Sequence, residues 1–163
     1  MPQISKGGKF IFGRSIIQPD GGIRLPPQAV REYGIAAEEK VYLFTGSKST
    51  GGFCVTRRSL LEPSRLGHIL RDMPQLLAYT APAGTFFPYK GRSYCWLPVS
   101  PCGDLRLPEE TLRYLALVPG MSLLSIRSSD IAFTMGAKGP LLERADAYEG
   151  DIPIYAGPEP LCG

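Results

Sequence analysis

Two pairs of arginines stand at matching points of two similar stretches. "GGIRLPPQAVREYGI" (21–35) carries Arg24 and Arg31, and "CGDLRLPEETLRYLAL" (102–117) carries Arg106 and Arg113; each pair is seven residues apart. The guanidinium is a planar, permanently charged fork of five donors, which pairs bidentately with phosphate oxygens and with the major-groove edge of guanine. Such forks repeated at fixed spacing suit a duplex polyanion. Arg24 and Arg31 are the first candidate DNA contacts, and Arg106 and Arg113 the second. Arg14, Lys9 and Lys6, on or before the first strand, extend the patch. A structural reading stands beside each. Arg24 and Arg106 read equally as solvent-facing strand residues, paired with Glu38 or Glu110. Arg31 and Arg113 read equally as charges complementing a helix C-terminus. Arg57 and Arg58 close a strand and read as solvated strand-end charges.

Other chemistry finds little material. The single histidine, His68, sits on a helical pattern beside Leu66 and Ile69, with no nucleophile placed near it. No Ser-His-Asp set, paired carboxylates, phosphate loop or metal-ligand spacing is present, so neither an enzyme nor a metal or cofactor protein is expected. Cys54, Cys95, Cys102 and Cys162 lack the CxxC spacing of a zinc site. Cys95 and Cys102 could approach across a strand, but four reduced thiols are expected of a cytoplasmic protein. "MPQISKGGKF" has no apolar signal-peptide core, and no apolar run spans a bilayer. Net charge is +3, unevenly spread: residues 1–81 hold eleven Lys/Arg against six Asp/Glu, and residues 82–163 seven against nine. That asymmetry points the N-terminal half toward an anionic partner.

The elements that must position these charges occur twice. At an offset of 82, Ile17 matches Val99, Ile23-Arg24-Leu25-Pro26 matches Leu105-Arg106-Leu107-Pro108, and Val41 matches Leu123. Farther on, "GGFCVTR" and "SDIAFTM" align best at 78, which implies a first hairpin four residues longer. Each unit reads as a strand ended by Leu-Pro, a two-turn helix opened by that proline, and a hairpin. Gly34 is the natural stop of the first helix, whereas Ala116 occupies that place in the second, where Pro119-Gly120 is the expected stop. Such a β-α-β-β unit is too small to close a core alone, but two can interleave their hairpins into one barrel-like sheet. The resulting fold class is mainly β with short helices. The chain divides into a first unit with its helix (1–75), an aromatic and Pro-rich crossover (76–92), a second unit with its helix (93–150) and a tail (151–163). Ser64 is expected to cap a helix bearing Leu66, Ile69, Leu70 and Met73, and "GPLLERADAY" to form a matching helix.

Gly21–Ile35 with the "EEKVYLF" hairpin, and the weaker copy "CGDLRLPEETLRYLAL" with "GMSLLSIRSSDIAF", resemble the SpoVT/AbrB-like swapped-hairpin family in its tandem, MraZ-like form. About half the chain carries the resemblance. It implies a double-split β-barrel, a homo-oligomer, and a transcriptional regulator that binds double-stranded DNA. The family places an arginine directly after the loop glycine; here Gly22 and Asp104 stand there, and the arginine comes two residues later, which keeps it on the same strand face. Arg31 and Arg113 match the family's second helix arginine, while Val30 and Leu112 replace the first.

A different class fits the same barrel: an assembly module that has lost DNA binding. Gly22 and Asp104 in place of arginine and the acidic second half favour it. Its contact surface would be the aromatic crossover, with Tyr79, Phe86, Phe87, Tyr89, Tyr94 and Trp96 as anchors. The alternative for those rings is packing between the units.

Overall fold

Pro26 and Pro108 each end a three-residue strand and begin a short helix, so the two copies take one shape. In the computed structural model, which describes residues 11–45, 51–138 and 152–156, the first unit runs β1 (Ile11–Ile16), β2 (Gly22–Arg24), α1 (Pro27–Tyr33), a 3-10 turn (Ile35–Glu38) and the hairpin β3 (Lys40–Thr45) and β4 (Phe53–Thr56). The crossover holds α2 (Arg58–Leu61), α3 (His68–Asp72), α4 (Pro74–Leu77) and β5 (Phe87–Tyr89). The second unit follows as β6 (Arg92–Pro98), β7 (Asp104–Arg106), α5 (Glu109–Tyr114), β8 (Ser122–Arg127) and β9 (Phe133–Gly136), and β10 (Ile154–Tyr155) comes last. The chain is mainly β.

Strand pairing exchanges the units. β1 of the first unit pairs antiparallel with β8 of the second, with Arg14 opposite Leu124. β6 of the second pairs with β3 of the first, with Trp96 opposite Tyr42. Adding 82 to Arg14 gives Trp96 and subtracting 82 from Leu124 gives Tyr42, so one pseudo-two-fold axis relates the ladders. β4 and β9 meet on that axis at Cys54 opposite Thr134, and β2 and β7 meet on it at Ile23 opposite Leu105. The main sheet has the order β10-β1-β8-β9-β4-β3-β6-β5, and among the described residues it is open, with β10 and β5 at its edges. β2 and β7 form a separate ribbon over one face.

The turns before the ribbon repeat as well. The Gln18 N–H donates to the Gly22 carbonyl and the Ser100 N–H to the Asp104 carbonyl. The Leu25 N–H donates to the Gly103 carbonyl and the Leu107 N–H to the Gly21 carbonyl, each at 2.9 Å. Each ribbon strand is thus tied to the other unit's turn.

The main core lies between the sheet and the ribbon with its helices. Ile23, Leu25, Leu105 and Leu107 meet Phe12, Val41, Leu43, Phe133 and Met135 there. Phe12, Tyr33 and Phe133 form a ring cluster with centroids 5.2–6.4 Å apart. On the opposite, outer face, α2–α4 cover Tyr42, Phe44, Cys54 and Tyr94. Full burial of side chains of this size stabilises by about 1.5–3 kcal/mol each, which is why two such small units hold together.

Several expectations are corrected. Ladder register puts Leu43 opposite Val55 and Ser125 opposite Met135. The hairpins therefore correspond at an offset of 80, not 78, and the first is longer by two residues. Offsets of 78 and 80 place every side chain on the same face, so hydrophobic pattern alone does not separate them. The crossover helix begins at His68, not after Ser64, whose hydroxyl instead accepts the Leu66 N–H at 3.2 Å in a local turn. Pro119-Gly120 is not the second helix's stop: Ala116 itself takes the left-handed conformation, at φ 58° against 60° for Gly34. "GPLLERADAY", Lys6 and Lys9 lie outside the described residues.

Left-handed φ costs an alanine about 1–2 kcal/mol that glycine does not pay. Ala116 is exposed, so no packing is lost with its methyl. Ala116→Gly is expected to raise stability by about 0.5–1 kcal/mol after the entropy of the added glycine is subtracted. A urea midpoint that fails to rise would contradict this.

Candidate nucleic-acid interface

Antiparallel pairing of β2 with β7 sets Arg24 opposite Asp104 and Gly22 opposite Arg106. The two strands hold corresponding residues, so the axis brings each arginine beside the partner strand's position two residues before its own arginine. On one side that position is Asp104. Arg24 meets it side-on, Nε to Oδ1 and Nη2 to Oδ2, both at 3.1 Å. Ser100 Oγ donates to the same carboxylate at 3.3 Å, and Ser15 Oγ donates to the Arg24 carbonyl at 2.5 Å. Only 7% of the Arg24 side chain is exposed. On the other side the position is Gly22, which offers no charge, and Arg106 reaches Asp20 instead at 2.9 Å. The Gly22 N–H, and after it the Arg106 guanidinium, hold the Asp20 carboxyl below the usual value.

Arg24 is therefore not the solvent-facing strand residue expected of it, because Asp104 closes over its guanidinium. Arg24 and Arg106 do share a cleft of about 600 Å³ along the ribbon. Arg106 is 74% exposed. Arg113, 75% exposed, pairs with Glu109 one helical turn back. Arg31 on α1 is exposed and has no partner among the described residues. Arg14 belongs elsewhere: Ser15 points in toward the Arg24 carbonyl, so alternation sends Arg14 out through the other face of the sheet. Lys9 falls outside the described residues.

Glu38 is not the partner of Arg24 either. It takes Arg57, Nη1 to Oε2 at 2.8 Å, while Arg57 Nε donates to the Tyr33 carbonyl at the end of α1. Arg57 thus caps a helix as well as ending a strand. Burial pushes the Glu38 carboxyl up, but the Arg57 and Ser59 hydrogen bonds outweigh it and hold it below its ordinary value.

None of the six crossover aromatics is exposed. Tyr79 stacks on Tyr42 at 5.5 Å and meets Trp96 edge-on at 5.4 Å, and the Trp96 indole N–H donates to the Ala81 carbonyl at 2.7 Å. Phe86 stacks on Tyr114 at 4.6 Å. His68 lies against the Tyr89 ring, and the Tyr89 hydroxyl bonds Asp72. Cys54 and Cys95 are free and buried. Cys102 is disulfide-bonded, which corrects the expectation of four reduced thiols. Cys95 is not its partner, since its side chain points into the main core. Among the described residues no group of His, Cys, Asp or Glu is placed to hold a metal ion, and no helix is long and apolar enough to cross a membrane.

No family model matches this chain. A search of curated proteins finds no match either. The geometry must carry the functional reading by itself. Among the described residues, the ribbon face offers one cation without a partner, Arg31, and two exposed ones whose carboxylate partners are also exposed. Exposed ion pairs contribute about 0–1 kcal/mol, so phosphate oxygens can displace Asp20 and Glu109. They cannot cheaply displace Asp104 from a buried fork. Sequence reasoning missed Asp104 and Asp20 as the neutralising groups. The signal was available: once the strands are set antiparallel about Ile23 and Leu105, residue 24 must face residue 104.

Proposed function

We propose that the chain is a DNA-binding regulator of the swapped-hairpin class, a single-chain counterpart of a two-subunit fold. The observation that carries this reading is the exchange of strands between the repeats, with β2 and β7 paired on the axis. The exchange is the pattern from which a double-split barrel is built, and we take that barrel as the architecture. The functional step rests on fold-level analogy. Arg31, Arg106 and Arg113 are the proposed phosphate contacts, and Arg24 positions the ribbon that carries Arg106. So few cations make a weak binder, and a homo-oligomer spanning several sites on duplex DNA would raise the avidity.

A salt titration of binding to a labelled duplex tests this. Affinity should fall steeply with salt, and Arg31→Ala and Arg106→Ala should each make the slope of log K against log salt shallower by about 0.9. Absence of binding at low salt, or slopes unchanged in both variants, overturns the reading.

One observation favours a second reading. Arg24, Arg106 and Arg113 all face carboxylates, Glu110 adds another, and Tyr114 and Val118 are exposed apolar residues at the end of α5. This pattern suits a protein-assembly module with the same fold. An oligomer that forms without DNA and dissociates on Tyr114→Ser, together with failure to bind duplex, supports that reading over the first.

A further inference from the structure

Positive charge without a partner collects on the other side of the sheet from the ribbon. A cleft of about 740 Å³ opens between the tip of the β8–β9 hairpin, the turn joining α2 to α3, and the outer faces of β3 and β4. That volume lies within the range of small-ligand sites. Its floor is apolar: Phe44 and Cys54 both belong to the outer cluster, and they are only 4% and 7% exposed.

The donors around this floor are largely uncommitted. Arg92 lies over the Phe44 ring, 5.5 Å from its centroid, and gives one hydrogen bond, to the Thr45 carbonyl at 3.3 Å. Four of its five donors remain. Arg65 is exposed and has no partner among the described residues. Ser129 Oγ accepts the Ile131 and Ala132 N–H groups, each at 3.3 Å, which leaves its own proton to donate. Among the described residues Asp130 is the one carboxylate that lines the cleft, and neither arginine forms an ion pair with it. The balance is a net positive charge with donors in excess over an aromatic floor. On the ribbon, by contrast, Arg24 and Arg106 each face a carboxylate.

We infer that this cleft binds a small organic anion with a flat apolar body. Its carboxylate or phosphate head takes the Arg65 and Arg92 forks and the Ser129 hydroxyl. Its body lies on Ile131, beside the Arg92 guanidinium that covers Phe44. Acceptor-only anions are the groups that use surplus donors without leaving any of their own unpaired. Stacking of Arg92 on Phe44 holds that fork in place before the ligand arrives, which lowers the ordering cost. The site is separate from the ribbon and stands or falls without the DNA reading.

Methyl NMR of the full chain, following Ile131 and Ala132, tests it with benzoate, phenyl phosphate and the neutral benzamide. Either anion should shift both methyls saturably, and the tighter of the two names the head group. Benzamide should bind at least about tenfold more weakly. Arg65→Gln and Arg92→Gln should each weaken the anion about three- to tenfold; both side chains are exposed, and unmoved core methyls of Leu43 will show that the fold is kept. Three results overturn the inference: an equal response to benzamide, no response to either anion, or unchanged affinity in both variants. Shifts produced by duplex DNA but by neither small anion overturn it too, in favour of a polyanion surface.

Discussion

Asp104→Ala is expected to lower the unfolding free energy by about 3 kcal/mol, more than any other single charge removal on the ribbon. The reason is what it leaves behind. Arg24 cannot be neutralised by losing its proton, and its side chain is 7% exposed. Without Asp104 its guanidinium loses the carboxylate that both Nε and Nη2 meet, in a place that water reaches poorly. The reverse change is milder: Arg24→Ala leaves a carboxylate that is 24% exposed and still accepts from Ser100, so a loss of about 1–2 kcal/mol is expected. Replacing both, as Arg24→Met with Asp104→Leu, should recover most of the loss, because neither charge then has to be desolvated. Urea denaturation of the three proteins gives the order. High salt should leave the Asp104→Ala deficit almost unchanged, since buried pairs are poorly screened. The same double variant bears on function. If Arg24 is a positioning residue, the variant keeps its affinity for duplex DNA at a given salt concentration. A large fall in affinity with the fold intact would return Arg24 to the phosphate contacts.

Much of this architecture was legible before any coordinates. The 82-residue repeat, the Leu-Pro steps and the need of each unit for a partner were enough to expect strand exchange, and β1 with β8 and β6 with β3 show it. Pattern failed where it is blind. A two-residue slip in the hairpin leaves every side chain on its face, so the offset of 80 had to come from hydrogen bonds. Ala116 in a left-handed conformation is signalled only by its alignment with Gly34, since its own residue type does not favour it; its packed neighbours Leu112 and Leu117 fix the path and alanine accepts the cost. The site was less legible than the fold. Arginine spacing put Arg24 and Arg106 at matching points of the two repeats, but sequence does not say that their strands pair or which carboxylate a strand partner brings. The cleft at Arg65 and Arg92 draws on the β3–β4 hairpin, the α2–α3 turn, the start of β6 and the β8–β9 tip, and only the folded chain puts these distant segments together.

Gly21→Ala is expected to cost about 3–4 kcal/mol, and its repeat mate Gly103→Ala clearly less, about 2 kcal/mol. Backbone conformation does not separate them: φ is +85° at Gly21 and +84° at Gly103, and an alanine pays about 1–2 kcal/mol at either. Their surroundings do. A Cβ on Gly21 would stand 2.2 Å from the Leu107 carbonyl oxygen. That oxygen belongs to the backbone leaving β7, and the Leu107 N–H is bonded to the Gly21 carbonyl at 2.9 Å. Relief therefore requires moving one ribbon strand off the other unit's turn, and forced shifts of this kind add about 1–3 kcal/mol. A Cβ on Gly103 would instead meet Val30 Cγ2 at 2.5 Å, a methyl of a partly buried side chain on α1 rather than backbone. Val30→Ala should accordingly restore part of the Gly103→Ala loss and none of the Gly21→Ala loss. Denaturation midpoints of the two single and two double variants decide it. Equal losses at the two glycines, or a rescue of Gly21→Ala by Val30→Ala, would mean that the turns are not clasped to the opposite strands as the hydrogen bonds place them. The ribbon would then be a loose flap rather than the fixed frame from which Arg106 is presented.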